Sequence, residues 1–290
     1  MKVLVTGASG FIGKACVAEL QRSGVEVLAI GRHRPAENLS FLECDLLSTG
    51  DLSTILQEAR PSHLLHLAWY AEHGKYWNSP LNQQWVRATQ KLVDAFCAAG
   101  GKHAVFAGTC AEYDWTMGEC HEGSTPLKPA TLYGAAKVEA SQITSAICDR
   151  HGVRFSWGRI FQPYGPFENS ERLVPALIDV FQGRRRPFAI NGNFVRDFIY
   201  SKDVARAFLT LLESDAAGYY NIASGQPVRL ADVAIAIAKA CQTDAVPLLE
   251  LPPNNTSGPA MIVGAVDRLK NLGWAPEISF RQGIVEMLKV

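Results

Sequence analysis

Charge of one sign is missing from this sequence. Lysine plus arginine number 28 and aspartate plus glutamate number 28, so no overall field draws the chain to nucleic acid or to an anionic membrane. Long apolar runs are missing too, and none approaches the roughly 20 residues that a helix needs to cross a bilayer. No basic leader with a cleavage site opens the chain: Met1-Lys2 runs straight into Val3-Leu4-Val5, and no secretory signal is expected. The cysteines, at 16, 44, 97, 110, 120, 148 and 241, are scattered, odd in number and without a CxxC pair. That pattern suits a reduced, cytoplasmic enzyme better than a disulfide framework. Metal-ligand spacing is also lacking. His63 and His66 fall on an expected strand with side chains on opposite faces, and the other histidines are isolated, so no metal site is expected.

What the sequence does have begins at its first strand. Val3-Leu4-Val5 leads into Thr6-Gly7-Ala8-Ser9-Gly10-Phe11-Ile12-Gly13. A buried strand breaking into a glycine-rich turn and then a helix is suited to hold a dinucleotide pyrophosphate. Gly7 permits the tight turn, Gly10 lets backbone approach the phosphates, and Gly13 lets the helix pack on the strand. Ser9, Phe11 and Ile12 lie between these glycines and belong to the same expected cofactor cradle. The helix N-terminus adds free N–H groups and a partial positive charge.

Apolar runs alternate with helical patterns through the first 160 residues. Strands are expected at 2–6, 25–30, 40–43, 63–67, 103–108 and 153–159, and helices at 11–23, 51–59, 80–99 and 131–151. Such alternation predicts an α/β fold with a doubly wound parallel sheet and right-handed crossovers. Its ligand crevice lies at the carboxyl ends of the strands, where Gly7–Gly13, His66-Leu67-Ala68-Trp69 and Gly108-Thr109-Cys110 should converge. Beyond residue 160 the rhythm breaks. Helices are expected at 172–183, 201–214, 229–241 and 279–289, short strands at 187–190, 196–200 and 218–222, and a loop at 252–259. Residues 1–160 would form the cofactor-binding domain, and 161–290 mainly a smaller substrate-binding lobe, with the chain weaving between the two. There is no internal repeat.

Tyr133-Gly134-Ala135-Ala136-Lys137 places a tyrosine and a lysine at i and i+4, on one face of an expected helix. A nearby ammonium favours tyrosinate and lowers the phenol pKa, tuning it toward proton exchange. Alone, this pair reads more readily as an amphipathic surface helix with one aromatic. Upstream, Thr109 delivers a hydroxyl to the same cleft edge.

With these motifs the chain resembles the extended short-chain dehydrogenase/reductase family, the group of nucleotide-sugar epimerases, dehydratases and 4-ketoreductases. The resemblance covers nearly the whole chain. It includes Cys44-Asp45-Leu46, His66-Leu67-Ala68, Gly158-Arg159-Ile160-Phe161, Tyr164-Gly165-Pro166 and Asn221-Ile222-Ala223-Ser224-Gly225. It also includes Val195-Arg196-Asp197-Phe198-Ile199-Tyr200 with Asp203-Val204-Ala205, and Leu272-Gly273-Trp274 with Pro276. It implies a Rossmann-type sheet and hydride transfer at a sugar carbon. Tyr133 would give or take the proton on the sugar oxygen, Lys137 would lower its pKa and hold the nicotinamide ribose, and Thr109 would hydrogen-bond the oxygen as charge develops. Asp45 would contact the adenine beside Leu46, with core packing an equal reading for Leu46. Leu67 and Ala68 would line the cofactor.

Members that bind NAD usually end the second strand in an acidic residue. Here Val25–Ile30 ends in Gly31-Arg32-His33-Arg34, where Arg32 and Arg34 would bind a 2′-phosphate, or stand as solvated loop arginines. NADP, as NADPH, is therefore expected ahead of NAD. Dehydratases follow the Thr109-type hydroxyl with an Asp-Glu pair. Cys110 and Ala111 stand there instead, and Glu112 would face the other way if the strand continued. That leaves 4-ketoreduction ahead of 4-epimerisation with retained NAD. A non-catalytic NADP-binding regulator is the reading outside enzymology, and a non-nucleotide ketone stays open as substrate.

By position, Arg196 matches the arginine that binds a nucleotide diphosphate, with an ion pair to Asp197 or Asp203 as the structural alternative. Arg172 precedes the usual nucleotide-binding helix, and Gln162 replaces a common asparagine. Trp69 would narrow the sugar pocket, stack on substrate or pack in the core. Cys110 would touch substrate or pack as a small thiol. Helices 80–99 and 131–151 suggest a homodimer through Leu92, Phe96, Ile143 and Ile147, unless these pack on their own sheet.

Overall fold

The first half of the chain builds one parallel sheet by repeating strand and helix. In this computed structural model, residues 1–35, 39–48, 52–253 and 258–289 are described. The elements run β1 (Lys2–Thr6), α1 (Phe11–Arg22), β2 (Glu26–Gly31), β3 (Ser40–Glu43), α2 (Leu52–Ala59), β4 (His63–His66), α3 (Leu81–Ala98) and β5 (His103–Thr109). Then come β6 (Glu119–Cys120), α4 (Leu132–His151), β7 (Arg154–Ile160), β8 (Gln162–Tyr164), α5 (Leu173–Phe181), β9 (Val195–Tyr200) and α6 (Ser201–Glu213). The chain closes with β10 (Gly218–Ile222), β11 (Pro227–Arg229), α7 (Leu230–Ala240), α8 (Val246–Leu249), β12 (Met261–Gly264), α9 (Asp267–Lys270) and α10 (Phe280–Met287).

Seven strands pair in the order β10-β7-β5-β4-β1-β2-β3, all parallel. The order reverses between β1 and β4, the switch point where such sheets open a crevice. Alternation along each strand supplies two cores. Leu4, Leu64 and Phe106 face α2, α3 and α4, while Val3, Val5, Leu65 and Val105 face α1 and α6. The second sheet runs β11-β9-β12-β6, with β8 paired to β9. Tyr164, Phe198 and Tyr200 pack there against Leu177 of α5, Val233 and Ile237 of α7, and Ile284 of α10.

Expected and observed elements differ in instructive places. Residues 187–190 form no strand; Pro187 lies among them and they lack a pairing partner. The two- to four-residue strands β6, β8, β11 and β12 are too short for a periodic signal. Asp51 of the expected helix 51–59, and residues 254–257 of the expected loop, lie outside the described residues. On α3 and α4, Leu92, Phe96 and Ile147 are buried and Ile143 is half-buried, all in the core between these helices and the sheet. Leu92, Phe96 and Ile147 are thus engaged within the chain, while Ile143 keeps part of its surface exposed. Among the described residues, no helix is long and apolar enough to cross a membrane.

One buried ion pair joins β5 to β7. Arg159 Nε donates to Glu112 Oε2 at 2.6 Å, with both side chains almost wholly out of solvent. Glu112 Oε1 also accepts from the Thr109 amide and from Trp157 Nε1, each at 2.9 Å. Arg159 Nη1 donates to the Tyr113 hydroxyl at 3.0 Å, which donates to Asn221 Oδ1 at 2.7 Å on β10. Glu112→Ala should cost about 3–5 kcal/mol, because the guanidinium is left charged and unpaired. Urea unfolding of the variant against the parent chain measures it.

Candidate active site

A cavity of about 660 Å³ opens at the carboxyl ends of β1, β2, β4 and β5. Its cofactor end is built on the first turn. Gly7 has φ of +70°, and a Cβ there would lie 2.7 Å from the Ala68 amide nitrogen. A Cβ on Gly13 would collide with the Gly7 carbonyl oxygen, so α1 can approach β1 only with glycine there. Gly10 caps α1 without a side-chain hydrogen bond, so the first N–H groups of α1 point at the cavity, a geometry suited to phosphate. Ser9, Phe11 and Ile12 line the same end. Leu67 and Ala68 are held by their amides, which donate to Thr6 Oγ1 at 3.2 and 3.1 Å.

Arg32, Asp45 and Leu46 line the wall past β2 and β3. Leu46 also belongs to the sheet core, so both of its expected readings hold. Arg34 does not line the cavity. Its Nη1 donates to the Leu39 carbonyl at 2.8 Å and its guanidinium lies 5.2 Å from the Phe41 ring centre, which turns it away. Backbone and ring outcompete the cavity for this side chain.

The chemical end gathers Thr109, Tyr133 and Lys137. Thr109 ends β5 and caps the single turn Cys110–Glu112, its Oγ1 accepting from the Ala111 amide at 3.2 Å. This turn, rather than a continuing strand, points Glu112 away from the cavity into its pair with Arg159. The Thr109 side chain lies close enough to Tyr133 to pull its phenol pKa down. Thr131 caps α4 by accepting from the Gly134 amide at 3.1 Å, which fixes where the helix presents Tyr133.

The expected lowering of the Tyr133 pKa by Lys137 is not found. Burial pushes the phenol well above the ordinary tyrosine range, and Tyr76 adds to the rise while the Thr109 side chain opposes it. The Lys137 ammonium is directed elsewhere, donating to the Ala107 carbonyl at 2.8 Å beneath the Trp69 ring. Burial pulls Lys137 down to about 7, against the pull of Glu112.

Trp69, Cys110, Gln162, Arg172 and Arg196 also line the cavity. Burial raises the Cys110 thiol to about 12, so it stands protonated. Gln162 Nε2 lies 3.8 Å from Cys110 Sγ, and its buried Oε1 has no partner among the described residues. Arg172 pairs with Glu168 at 3.2 Å, and its charge opposes the rise that burial gives the Tyr76 phenol pKa. Desolvation still lifts Glu168 to about 8. Arg196 forms neither expected ion pair. Asp197 accepts from Ser224 and from the Gly225 and Gly264 amides, and Asp203 accepts from Arg206 and from the Glu277 and Ile278 amides. A side chamber of about 160 Å³ shares Gln162, Arg172 and Arg196 with the main cavity.

An aromatic wall completes the site. Tyr76 packs edge-on against Tyr133 at 4.9 Å and Trp77 does so at 5.8 Å, while Trp77 meets Trp115 at 6.4 Å. Trp85 lines the cavity behind Trp69. Sequence reasoning missed these residues; the one signal was the adjacent pair Tyr76-Trp77 in a loop before Pro80. His66, by contrast, is structural. Its Nδ1 and Nε2 bond Thr6 Oγ1 at 2.8 Å and Thr89 Oγ1 at 2.9 Å, and burial drops its pKa to about 3. Among the described residues, no group of three or more His, Cys, Asp or Glu side chains could hold a metal ion.

Comparison with known proteins gives the same architecture. The family model described as NAD dependent epimerase/dehydratase family matches residues 3–223. UDP-glucose 4-epimerase of Corynebacterium glutamicum is 27% identical over 312 residues, covering 99% of this chain and 94% of that protein. CDP-abequose synthase of Salmonella typhimurium is 25% identical over 299 residues, covering 99% and 97%. The structure of Thermus thermophilus UDP-glucose 4-epimerase complexed with NAD superposes with a TM-score of 0.85 at 26% identity, covering 100% and 98% of the two chains. With about three quarters of its length matched, this chain belongs to the NAD dependent epimerase/dehydratase family.

Proposed function

We propose that this chain reduces the 4-keto group of a nucleotide-linked sugar, of the 6-deoxy class, with NADPH. The observation that carries the reading is Arg32. It lines the cavity just past the end of β2, and Asp45 beyond β3 is the one carboxylate among the described lining residues. A guanidinium there is suited to a 2′-phosphate through charge-assisted bonds.

The residues present fit a dinucleotide. Gly7 and Gly13 leave the space a pyrophosphate turn requires, the N-terminus of α1 supplies N–H donors, and Lys137 lies below the site for the ribose. When bound, the cofactor supplies hydride to the sugar carbon. Tyr133 gives its proton to the sugar oxygen as negative charge grows there, and Thr109 donates a hydrogen bond to the same oxygen. A phenol held protonated by burial is matched to this direction of transfer. The Lys137 ammonium offsets the charge that the tyrosine would acquire. Arg172, Arg196 and Gln162 would hold the nucleotide part in the side chamber, and residues 161–290 would mainly serve that role. Dehydration lacks its acid, since Glu112 is committed to Arg159.

A second reading, 4-epimerisation with retained NAD, is favoured by the relatives named as 4-epimerases and by the NAD-bound structural neighbour. The two part at Arg32. Arg32→Ala should weaken NADPH about 10- to 100-fold and leave NADH nearly unchanged by fluorescence titration. Tight NADH binding with indifference to NADPH in the parent chain would overturn the reductase and install the epimerase.

Tyr133→Phe should lower turnover on a UDP-, dTDP- or GDP-linked 4-keto-6-deoxy sugar about 100- to 10,000-fold, with cofactor affinity kept. Full-rate turnover by that variant would sink the mechanism. Lys137 makes a separate forecast about stability. Its folded pKa is depressed to about 7 while the unfolded chain stays near 10.5, so its charge destabilises the fold fully below pH 7. That burden fades as pH rises from about 7 toward 10.5. Lys137→Met should therefore gain about 1–3 kcal/mol at pH 6, and the gain should shrink toward pH 10 in thermal unfolding.

A further inference from the structure

Lys137 brings three N–H donors into a nearly dry site, where it is 3% exposed. One donor goes to the Ala107 carbonyl oxygen at 2.8 Å. The Trp69 indole covers the same ammonium, with its ring centre 3.8 Å from Nζ. At that range the negative face of the ring attracts the cation, and desolvation strengthens the attraction.

Trp69 is itself fixed. Its Nε1 donates to Asn82 Oδ1 at 2.8 Å, and its ring stacks on Trp85 at 6.1 Å with 28° between the planes. Asn82 is fully buried, and its Nδ2 donates to the carbonyls of Tyr76 at 2.7 Å and Ser79 at 2.9 Å. Tyr76 packs its ring against Tyr133. One amide side chain therefore ties the cover of Lys137 to the cover of Tyr133.

We propose that Trp69, clamped by Asn82, is a positioning residue that holds the Lys137 side chain as an ammonium under the cavity. Its bearing on turnover rests on the role given to Lys137 above; its bearing on the lysine itself does not. The charged and titratable groups around Lys137 are few. Glu112, on the turn after β5, raises its pKa but is shared with Arg159. His66 on β4 is neutral, with both ring nitrogens bonded. Tyr133 on the same helix stands protonated. Burial pulls Lys137 down to about 7, so near neutrality the charge has little reserve, and a ring face that favours the cation counts.

The test is an NMR titration of the lysine side-chain resonances in the full chain, with Lys137 assigned by its loss in Lys137→Met. In Trp69→Leu the Lys137 midpoint should fall by about 0.5–1.5 pH units, and in Trp69→Phe, which keeps a ring face, by less. The loss of kcat at high pH should move down in step. Trp69→Phe carries the test should the leucine variant fail to fold. An unmoved midpoint in the folded variants, with only the melting temperature reduced, overturns the proposal and leaves Trp69 as packing. A shifted midpoint with undiminished turnover by Lys137→Met leaves Trp69 its positioning role and overturns instead the part given to Lys137 in catalysis.

Discussion

The Glu112 carboxylate, buried against Arg159, is the constraint on which the chemical end of the cavity depends. One of its oxygens takes the guanidinium, and the other takes the Thr109 amide and the Trp157 indole. The end of β5, the turn that follows it and the middle of β7 are thereby fixed at one point. Thr109 is left with its hydroxyl toward Tyr133, because its amide is committed behind it. A buried pair of this kind gives little net stability against an apolar replacement, but it punishes the loss of either partner. Its return here is geometric. Arg159 also reaches Tyr113 and, through it, Asn221, so β10 is registered to the same anchor.

Under the proposed reading, the same commitment bears on which chemistry the site would host. A carboxylate one turn past the strand would be the natural acid for losing water from a sugar. In this chain it is spent on structure, and the positions nearer the cavity hold Cys110 and Ala111. What remains near the reacting position is a phenol, a hydroxyl and an ammonium. The phenol and the ammonium are tuned chiefly by desolvation: burial raises Tyr133, lowers Lys137 and, further along, raises Glu168. Low dielectric makes each dipole and charge in the cavity count for more.

The sheet was legible in the sequence because both faces are covered. Its strands read as near-continuous apolar runs, such as Val3-Leu4-Val5 and Ala104-Val105-Phe106, and their helices carry clear periodicity. The glycine turn was legible because only glycine fits at Gly7 and Gly13. Elsewhere the signal was tertiary. That Cys110–Glu112 turns rather than extends depends on Arg159, 47 positions away, which no local pattern carries. Lys137 and Tyr133 do share a face, yet the ammonium turns to Ala107 and Trp69, partners brought by β5 and by the loop after β4. The aromatic wall was illegible for a like reason: the Tyr76-Trp77 pair and Trp115 come from separate loops. Arg34 shows the opposite case, a plausible ligand removed by a carbonyl and a ring close in sequence.

Family membership and the proton relay leave the direction of the reaction to another part of the molecule. A phenol near a hydroxyl can move a proton either way, so under the proposed reading Tyr133 and Thr109 would serve reduction and epimerisation alike. The difference lies in whether the dinucleotide exchanges after each turnover or stays. Under the proposed reading that choice sits at the end of β2. With Arg34 engaged by Leu39 and Phe41, Arg32 is the one arginine after that strand that faces the cavity among the described residues. Under that reading the Arg32 guanidinium would favour an extra phosphate over free ribose hydroxyls. A phosphate held by one charge-assisted contact at a cavity rim is also one that can leave, and exchange is what a reductase needs.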